Sequence, residues 1–376
     1  MDISRRNLIL GVGGTAALVG IGGAWRVTRM PERANAPWTL DKTTPSDVRL
    51  DAFRHAILAP NPHNRQPWLI QMEGNDSATL TCDLTKRLPE TDPFDRQITI
   101  GFGTFIELAS IAAGQRGFRI DVTPFPEGAP DPRLDKRPVA HLRFVPDTNI
   151  VRDPLHGAIT KRRTNRNVYE TATLSPQESA KLRTYGAQVS VNPALLAQMR
   201  SITVDAISRE MMTHRAHMES VRLMRIGHHE VDATPDGLAL TGPMIEATRL
   251  LGITTRESIA DPKSSAFKIG LDGLRESYGS VPAVLWITSP SNTRTDQLEA
   301  GRLYARTHLR ATNMGLAMHP MSQSLQEYPE MAPYFAAIHT LLGVTGENRI
   351  QMLARVGRAP NVAAAARWPL ETHMKT

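Results

Sequence analysis

Hydrophobic and polar positions along this chain of 376 residues repeat with two different periods. Alternating or continuous apolar runs predict strands, over Thr79–Leu84, Val139–Val145, Val281–Thr288 and Gln351–Val356. Apolar residues spaced three and four apart predict helices, over Val48–Leu58, Thr99–Arg116, Pro176–Tyr185, Leu195–Val221 and Asp296–Met314. Because helices outnumber strands and do not alternate with them regularly, the pattern predicts an α+β fold.

A weak internal repeat relates two of these predicted helices. Gly103 and Gly117 are as far apart in the chain as Gly301 and Gly315, and the apolar residues between them partly match. Each segment is typical of a core helix that ends at a glycine. The match favours two related halves, although a chance likeness between two helices explains it equally well.

The first residues have the pattern of an export signal. Ser4-Arg5-Arg6-Asn7-Leu8-Ile9 precedes an uncharged, glycine-rich stretch from Gly11 to Trp25. Paired arginines before a modest apolar segment predict a twin-arginine signal and a periplasmic protein. At about 16 residues the apolar stretch is shorter than the ~20 of a spanning helix. Ala34-Asn35-Ala36 offers a cleavage site but lies far from that stretch, so a retained membrane anchor stays open.

Composition narrows the classes of protein further. With 41% hydrophobic and 22% charged residues the chain is typical of a soluble globular protein. The single cysteine, Cys82, excludes an intramolecular disulfide and lies in a strand pattern rather than a nucleophile's setting. The net charge of +7 is spread along the chain without a basic block that contains aromatic residues, which argues against nucleic-acid binding. The many arginines favour an anionic ligand such as a phosphate.

Two polar segments are the candidates for a binding site. Residues 59–68 contain two prolines and several amides before the apolar run 69–72, which predicts a stiff loop that presents amides to a flat, polar-edged ring, with a strand behind it. An ordinary proline-rich turn is the alternative. Residues 160–169 place four cations within six residues beside hydroxyl and amide groups, which predicts an anion cradle. A solvated basic turn is the alternative there.

These segments resemble motifs of the nitroreductase-like flavoproteins, which bind FMN. Pro60, Asn64, Gln66, Pro67 and Trp68 match a P-S-x-x-N-x-Q-P-W loop that lies against the flavin, with departures at Asn61 and Pro62. The resemblance implies ring contacts from Asn61, Pro62, Asn64 and Gln66. Arg162, Thr164 and Arg166 match an R-x-S-x-R segment that holds the FMN phosphate and the pyrimidine edge of the ring, with Thr in place of Ser.

The same resemblance extends to the second half of the chain. Arg367-Trp368-Pro369-Leu370-Glu371 is similar to a closing R-x-P-L-E stretch that returns to the phosphate, which implies phosphate contacts from Arg367 and also Arg358. Arg355, in mid-strand, suits a buried structural cation equally well. The loop after the second core helix implies contacts beside flavin N5 from Pro320, Met321, Ser322 and Gln323. A connector without a ligand is the alternative for this loop.

Each half carries a different part of one site. The first half has the N-x-Q-P-W loop without an R-x-S/T-x-R segment, and the second half has the reverse. In the family, two chains pair and each flavin lies at their interface. The chain therefore resembles the Acg-like branch, two fused α-β-α domains forming an internal pseudo-dimer. We place a signal and linker at 1–36, the first half at 45–150 and the second at 151–376.

Residues 205–277 have no counterpart in a minimal domain of this kind. Glu210, His214 and His217 share a helical face ahead of His228-His229-Glu230, so a metal site is an alternative. No ligand spacing of a known metal motif is met, and we predict no metal. We expect a helical cover over the flavin. His63 and His319 are the only acid–base candidates, each more often structural, so no catalytic residue is assigned.

Three functions follow as hypotheses. The leading one is a periplasmic FMN-dependent oxidoreductase that transfers a hydride through flavin N5 to a small nitro, quinone or similar substrate, from an unidentified electron donor. Its partners would be that substrate, the donor and the twin-arginine export machinery, with the membrane involved only through an uncleaved leader. The second is a flavin-sequestering protein without turnover. The third is an anchored protein that binds another anion and no flavin.

Overall fold

The computed structural model describes residues 31–40 and 43–375, so most of the predicted signal lies outside the described residues. The α-helices are α1 (Glu32–Asn35), α2 (Val48–Ala56), α3 (Arg96–Gln115), α4 (Pro176–Arg183), α5 (Pro193–Met212), α6 (His214–Leu223), α7 (His228–Ala233), α8 (Pro243–Leu250), α9 (Arg256–Ala260), α10 (Ser265–Gly279), α11 (Arg294–Asn313) and α12 (Ala332–Leu341). The strands are β1 (Trp68–Glu73), β2 (Ser77–Cys82), β3 (Phe118–Pro124), β4 (Ala140–Pro146), β5 (Gln188–Ser190), β6 (Met224–Ile226), β7 (Leu238–Leu240), β8 (Val284–Ser289), β9 (Ala317–Pro320) and β10 (Arg349–Gly357).

Two antiparallel sheets of four strands organise the molecule. The first has the order β1-β2-β4-β3, and the second has the order β5-β8-β10-β9. Strands β1 and β2 form a hairpin in which Ile70 lies opposite Leu80, with Gly74 in the turn at φ +48°. A short parallel pair, β6 and β7, lies in the segment between α6 and α8. The α+β prediction is confirmed.

Two long helices join the sheets across the centre of the molecule. Helices α3 and α11 pack against each other, and both are largely buried. Gly103 and Gly301 lie inside these helices, at a point where the two backbones approach each other closely. Gly117 and Gly315 follow the helix ends at φ +76° and +69°, as the glycine pattern predicts. Of the described helices, only Arg96–Gln115 is long and apolar enough to span a membrane, and it is a core helix here.

The first half has an aromatic core between its sheet and helices. Trp68 of β1 lies 4.9 Å from Phe105 of α3, and Phe53 of α2 lies 6.0 Å from the same ring, measured between ring centroids. Phe144 of β4 meets Phe53 edge-on at 5.7 Å. Burial of these rings fixes the strand that follows loop 59–67, and so fixes the loop. Cys82 is buried at the end of β2, and burial raises the pKa of its thiol, as suits a structural residue.

The segment 193–279 is helical, but not continuously. The predicted helix Leu195–Val221 divides at Thr213, whose backbone is extended (φ −85°, ψ 101°). The break turns α6 so that Glu219 accepts hydrogen bonds from the backbone N–H groups of Glu90 and Thr91 at 3.0 Å. A single 3-10 turn, His156–Ala158, precedes the arginine segment.

Both ends of the described chain pack on the first half. Residues 361–375 run past β1, where Met374 forms an isolated bridge with Ile70 and the N–H of Lys375 donates to the Ile70 carbonyl at 2.7 Å. Residues 31–40 lie beside this C-terminal segment, with the indole N–H of Trp38 donating to the Ala365 carbonyl at 2.7 Å. The first half is therefore completed by chain from both ends.

Candidate functional site

Loop 59–67 has an unusual backbone. His63, Asn64 and Gln66 have φ values of +46°, +53° and +52°. Side-chain-bearing residues seldom take this left-handed conformation, and a cluster of them marks a conformation that its surroundings enforce. The loop predicted from sequence is therefore also the most strained part of the first half. Such strain concentrates at binding and catalytic sites, which supports the loop as a candidate site.

The amides of this loop hold its shape. Asn61 accepts from the backbone N–H of Gln66 at 2.7 Å. Gln66 donates to the Pro235 carbonyl at 2.7 Å and accepts from the Trp368 N–H at 2.9 Å. Asn64 donates to the Ala366 carbonyl at 2.9 Å. The sequence argument expects these amides to face a ring, but the structure directs them to other parts of the chain.

Arg367 fixes the same loop from the C-terminal segment. Its guanidinium donates to the carbonyls of Ile57, Leu58 and Ala59 at 2.8, 3.1 and 2.9 Å. It also donates to the side chain of Asn64 and to the carbonyl of Ala366. All five N–H donors are thereby used within the protein. Arg367 lies at the predicted site, but in this conformation it supports the loop and adds positive charge without a free donor.

Arg162 lies beside Arg367 with donors to spare. Only 2% of its surface is exposed. One Nη donates to the Leu58 carbonyl at 3.0 Å, the other lies 3.5 Å from the Thr164 hydroxyl, and its Nε has no partner in the described structure. Burial lowers the pKa of its guanidinium to about 10, and the nearby charge of Arg163 adds to this. A buried cation with unused donors can bind an anion.

Three guanidinium groups gather around one indole ring. The Cζ atoms of Arg162, Arg163 and Arg367 lie 5.7, 4.4 and 5.3 Å from the ring centroid of Trp38. No carboxylate in residues 31–40 or 43–375 forms an ion pair with any of these arginines. The cluster is electropositive and enclosed. Its charge and fork-shaped donors suit a phosphate group.

The second-half elements converge on the same place. Thr164 forms a parallel bridge with Met318 of β9, and the N–H of Asn165 donates to the Met318 carbonyl at 3.1 Å. The predicted N5 loop follows β9 directly: Met321 is buried, and Gln323 accepts a hydrogen bond from the Tyr278 hydroxyl at 2.6 Å. Pro320 and Ser322 are half-buried beside them. The predicted arginine segment and N5 loop are therefore neighbours.

Arg166 and two histidines form the other end of the site. The charge of Arg166 acts on both His63 and His319. Burial is the main cause that lowers the pKa of His63 to about 4 and that of His319 well below its ordinary value. Both imidazoles are therefore neutral near pH 7. Arg355 donates to Nδ1 of His319 at 3.2 Å, which leaves the His319 proton on Nε2.

Several buried polar atoms of this region have no hydrogen-bond partner in the described structure. They include Arg162 Nε, His63 Nδ1, His308 Nδ1 and the hydroxyl of Tyr304. Tyr304 and His308 lie one turn apart on α11 with ring centroids 5.6 Å apart, and Arg162 acts electrostatically on both. Leaving such groups unpaired is costly. A polar, phosphorylated ligand would satisfy them, so the residues fit FMN.

Some predicted residues lie outside this cluster. Arg358 pairs with Glu178 at 2.5 Å, with 40% of its side chain exposed, away from the three arginines around Trp38. Arg355 is fully buried over the Tyr169 ring at 4.0 Å and donates to carbonyls and hydroxyls of residues 167, 277 and 280, as a structural cation does. A surface hollow of about 390 Å³ beside Gln71 and His141 is lined by none of these groups.

The metal alternative has no support in the described residues. They contain no cluster of three His, Cys, Asp or Glu side chains that could hold an ion. His217 meets the Ile259 carbonyl at 2.9 Å through Nε2, and His228 is paired with Glu246 at 2.8 Å. Glu210 is buried beside Gln326 and Gln323.

The sequence argument missed Trp38, Tyr304 and His308. Trp38 lies just beyond the expected cleavage site, between the signal and linker at 1–36 and the first half at 45–150, in a stretch that was assigned to neither. Tyr304 and His308 follow Gly301 at helical spacing, so they share its face of α11. That spacing was a usable signal, because the face that meets the other half is also the face that reaches the site.

Comparison with known proteins gives distant similarities. No family model matches the chain. It is 26% identical over 317 residues to proteins from two strains of Mycobacterium tuberculosis provisionally named NAD(P)H nitroreductases, covering 81% of this chain and 83% of theirs. The sequence similarity relates the chain distantly to nitroreductase-like proteins.

Solved structures with the same kind of name are also similar. The FMN-dependent nitroreductase NfnB of Mycobacterium smegmatis, in complex with NADPH, is 16% identical with a TM-score of 0.36, over 58% of this chain and 96% of that one. A protein from Anabaena variabilis provisionally described as a nitroreductase is 11% identical with a TM-score of 0.45, over 91% and 99%.

Proposed function

We propose that this chain is an FMN-dependent oxidoreductase of the nitroreductase-like type, with two fused halves that build one flavin site. The observation that carries the proposal is the contact of Arg162, from the second half, with Leu58 of the first half, directly before the strained loop 59–67. Arg162 donates to Leu58 at 3.0 Å while its Nε remains unpartnered and buried. The sequence similarity to NAD(P)H nitroreductases supports the same assignment.

The anion end of the site is the arginine cluster. Bound FMN would supply hydride transfer at N5, and the protein would bind, orient and electrostatically tune it. Arg162 has free donors for phosphate oxygens, and the Thr164 hydroxyl lies 3.5 Å from its guanidinium. Arg163 and Arg367 add charge from either side. The charge-assisted hydrogen bonds of Arg162, together with the charges of its two neighbours, would contribute to the cofactor's affinity.

The ring end would lie between loop 59–67 and the loop after β9. Arg166 brings a positive charge to this end, and the neutral imidazole of His319 keeps a proton on Nε2 as a donor. Met321 is fixed by donating its N–H to the Leu353 carbonyl at 2.8 Å. A positive charge and preorganised donors stabilise negative charge that develops on a ligand. No side chain is assigned as a proton donor or acceptor in the reaction.

The segment 193–279 would exclude water from the ring. It reaches loop 59–67 through the Gln66 side chain, which donates to Pro235, and through the N–H of Gly237, which donates to the Asn64 carbonyl at 3.2 Å. Tyr278 binds Gln323 on the opposite side. The segment therefore contacts both loops of the site, as a cover does. A closed site protects a reduced cofactor from side reactions.

Purified full-length protein expressed in the cytoplasm tests the proposal. We expect a yellow protein whose absorbance spectrum is that of bound FMN, bleached by NADPH or by a quinol in stopped-flow mixing. Arg162→Ala should lose about 1.5–3 kcal/mol of FMN affinity. Arg358→Ala, at a half-exposed ion pair, is the matched control and should keep it. A colourless protein that takes up no FMN would refute the assignment.

A flavin-sequestering role is the second candidate. The enclosure of Arg162, Tyr304 and His319, each at most 4% exposed, favours it. The two roles differ in turnover: a sequestering protein would hold FMN that no nicotinamide or quinol donor bleaches on mixing. Reduction of the bound flavin by any of these donors, followed by reoxidation with a nitroaromatic or quinone, supports the enzyme.

Periplasmic export is part of the proposal and rests on the sequence of residues 1–30. Replacing Arg5 and Arg6 by Lys should retain the flavoprotein in the cytoplasm of a host with twin-arginine transport. Cell fractionation and flavin fluorescence measure this. Export of the double variant in normal amounts would contradict the assignment of the leader.

A further inference from the structure

Residues 31–40 are part of the folded body. Ala34 is 1% exposed and packs with Val231 and Ala366. Its N–H donates to the Asp232 side chain at 2.9 Å, and its carbonyl accepts from the N–H of Arg367 at 2.8 Å. Trp38 is fixed next to it by its hydrogen bond to Ala365. The expected cleavage site at Ala34-Asn35-Ala36 thus lies within a segment that the fold holds at several points.

The ring of Trp38 contacts the anion site directly. It lies against Arg163 at 4.4 Å, with Arg367 and Arg162 at 5.3 and 5.7 Å. An aromatic face attracts guanidinium groups without using their N–H donors, which point outward in the guanidinium plane. The unpartnered Nε of Arg162 therefore stays available. The indole also lessens the repulsion that would otherwise separate three adjacent cations.

We propose that Trp38 is a positioning residue for the phosphate group of the flavin. Its ring holds the guanidinium groups of Arg162, Arg163 and Arg367 together where the described part of the chain supplies no carboxylate, ready for a doubly charged anion. This inference rests on the proposed function, because it assigns the phosphate end of that site. A residue in this role would favour FMN over riboflavin, which has the same ring system and no phosphate.

The opposite role is a physical alternative that the experiment separates. If Trp38 instead filled the volume that a phosphate needs, removing the indole would strengthen FMN binding. A purely structural role would weaken FMN and riboflavin binding equally. Only a positioning role changes the ratio of the two affinities in favour of riboflavin.

The experiment measures dissociation constants for FMN and riboflavin with flavin-free full-length protein, by quenching of flavin fluorescence. We expect Trp38→Leu, which keeps apolar volume but lacks an aromatic face, to weaken FMN about tenfold and riboflavin by less than about twofold. Trp38→Phe should restore most of the FMN preference. Trp368→Ala, which removes another indole of the same region, near Lys86, should keep the wild-type ratio.

Each outcome decides the matter. An unchanged FMN-to-riboflavin ratio in Trp38→Leu, or tighter FMN binding, overturns the positioning role while leaving the proposed function intact. Wild-type protein that binds neither flavin overturns both. If circular dichroism shows that Trp38→Leu is unfolded, Trp38→Met replaces it as the variant without an aromatic ring. The inference then requires that Trp38→Phe keep the wild-type ratio of the two affinities and that Trp38→Met lose it.

Discussion

Gly103 and Gly301 place two helices in direct backbone contact. A Cβ atom added to either glycine would lie 3.0 Å from the Cα of the other. It would lie closer still to a carbonyl oxygen of the opposite helix, that of Leu298 for Gly103 and that of Ile100 for Gly301. The relationship is reciprocal, because each glycine faces the backbone of the opposite helix.

We predict that Gly103→Ala and Gly301→Ala each destabilise the protein by roughly 3 kcal/mol or more. The added methyl meets rigid backbone, so the helices must separate along their buried faces. Urea unfolding measures the free energy of unfolding. Gly273→Ala, in helix α10 with nothing within 4 Å of its added Cβ, is the control and should be neutral or stabilising by up to about 1 kcal/mol. Equal effects at the three positions would contradict the close contact.

Much of the fold follows from local patterning. The predicted helices at 48–58, 99–116 and 296–314 correspond to α2, α3 and α11 within a few residues, since apolar spacing decides burial for long elements. Strand β9 and helix α12 were not predicted. Strand β9 is short, and its pairing with β10 is long-range, so it has little local signal.

The candidate site was predictable in its residue types and only partly in their roles. The sequence argument named Arg162, Arg367 and loop 59–67 as parts of one site, and these groups are neighbours in the structure. It did not reveal that Asn64 and Gln66 point inward, because their partners lie about 300 and 170 residues away. The role of Trp38 was hidden for the same reason. No local sequence pattern indicates that an indole packs on arginines from distant parts of the chain.

Replacing Arg162 or Arg367 by Met should change the stability of the flavin-free protein in opposite directions. Arg162 is a buried charge with no acidic partner among the described residues, so Arg162→Met should raise the free energy of unfolding by about 1–2 kcal/mol. The Leu58 carbonyl remains bonded to Arg367 in that variant. Arg367→Met leaves several buried acceptors unpaired and should cost about 3–5 kcal/mol.

Chemical denaturation of both variants without flavin measures this difference. In the presence of FMN, Arg162→Met should lose its advantage, because the charge that destabilises the free protein binds the phosphate. Such an exchange of stability for function is common at binding sites. Destabilisation of the flavin-free protein by Arg162→Met would show that its buried charge is already balanced, and would argue against an anion site.

We predict that Glu210 makes the protein's free energy of unfolding depend on pH. Burial raises the pKa of its carboxyl from 4.5 to about 7, despite hydrogen bonds with Gln326 and Gln323 that act in the other direction. The folded state therefore holds the proton more tightly than the unfolded state. The contribution is fully present below pH 4.5 and is lost as the pH rises through 7, by about 3 kcal/mol in total.

Glu210→Gln should accordingly be more stable than wild type at pH 8, by up to about 3 kcal/mol, and little different at pH 5. Thermal and urea unfolding between pH 5 and 8 measure the difference. Glu347→Gln, at an exposed position, should show no such trend. A constant difference between Glu210→Gln and wild type across this range would mean that the carboxyl titrates at its ordinary pKa.

Asp236 joins the cover to the loop of the site. Its side chain is 1% exposed and pairs with Arg65 at 3.2 Å, Arg225 at 2.7 Å and Lys86. Burial alone would raise the pKa of this carboxyl, but the hydrogen bond and charge of Lys86 and the two arginines lower it. Asp236→Asn leaves three cations facing one another without a counter-charge, so we expect the free energy of unfolding to fall by about 3–5 kcal/mol.

Because Arg65 belongs to the strained loop, the variant should also be destabilised locally. Limited proteolysis should cut the segment 224–240 in the variant sooner than in wild type. Asp272→Asn, at an exposed ion pair with Arg275, is the control and should change neither measurement. If Asp236→Asn were cut no faster than this control, the anchoring role of the ion cluster would be wrong.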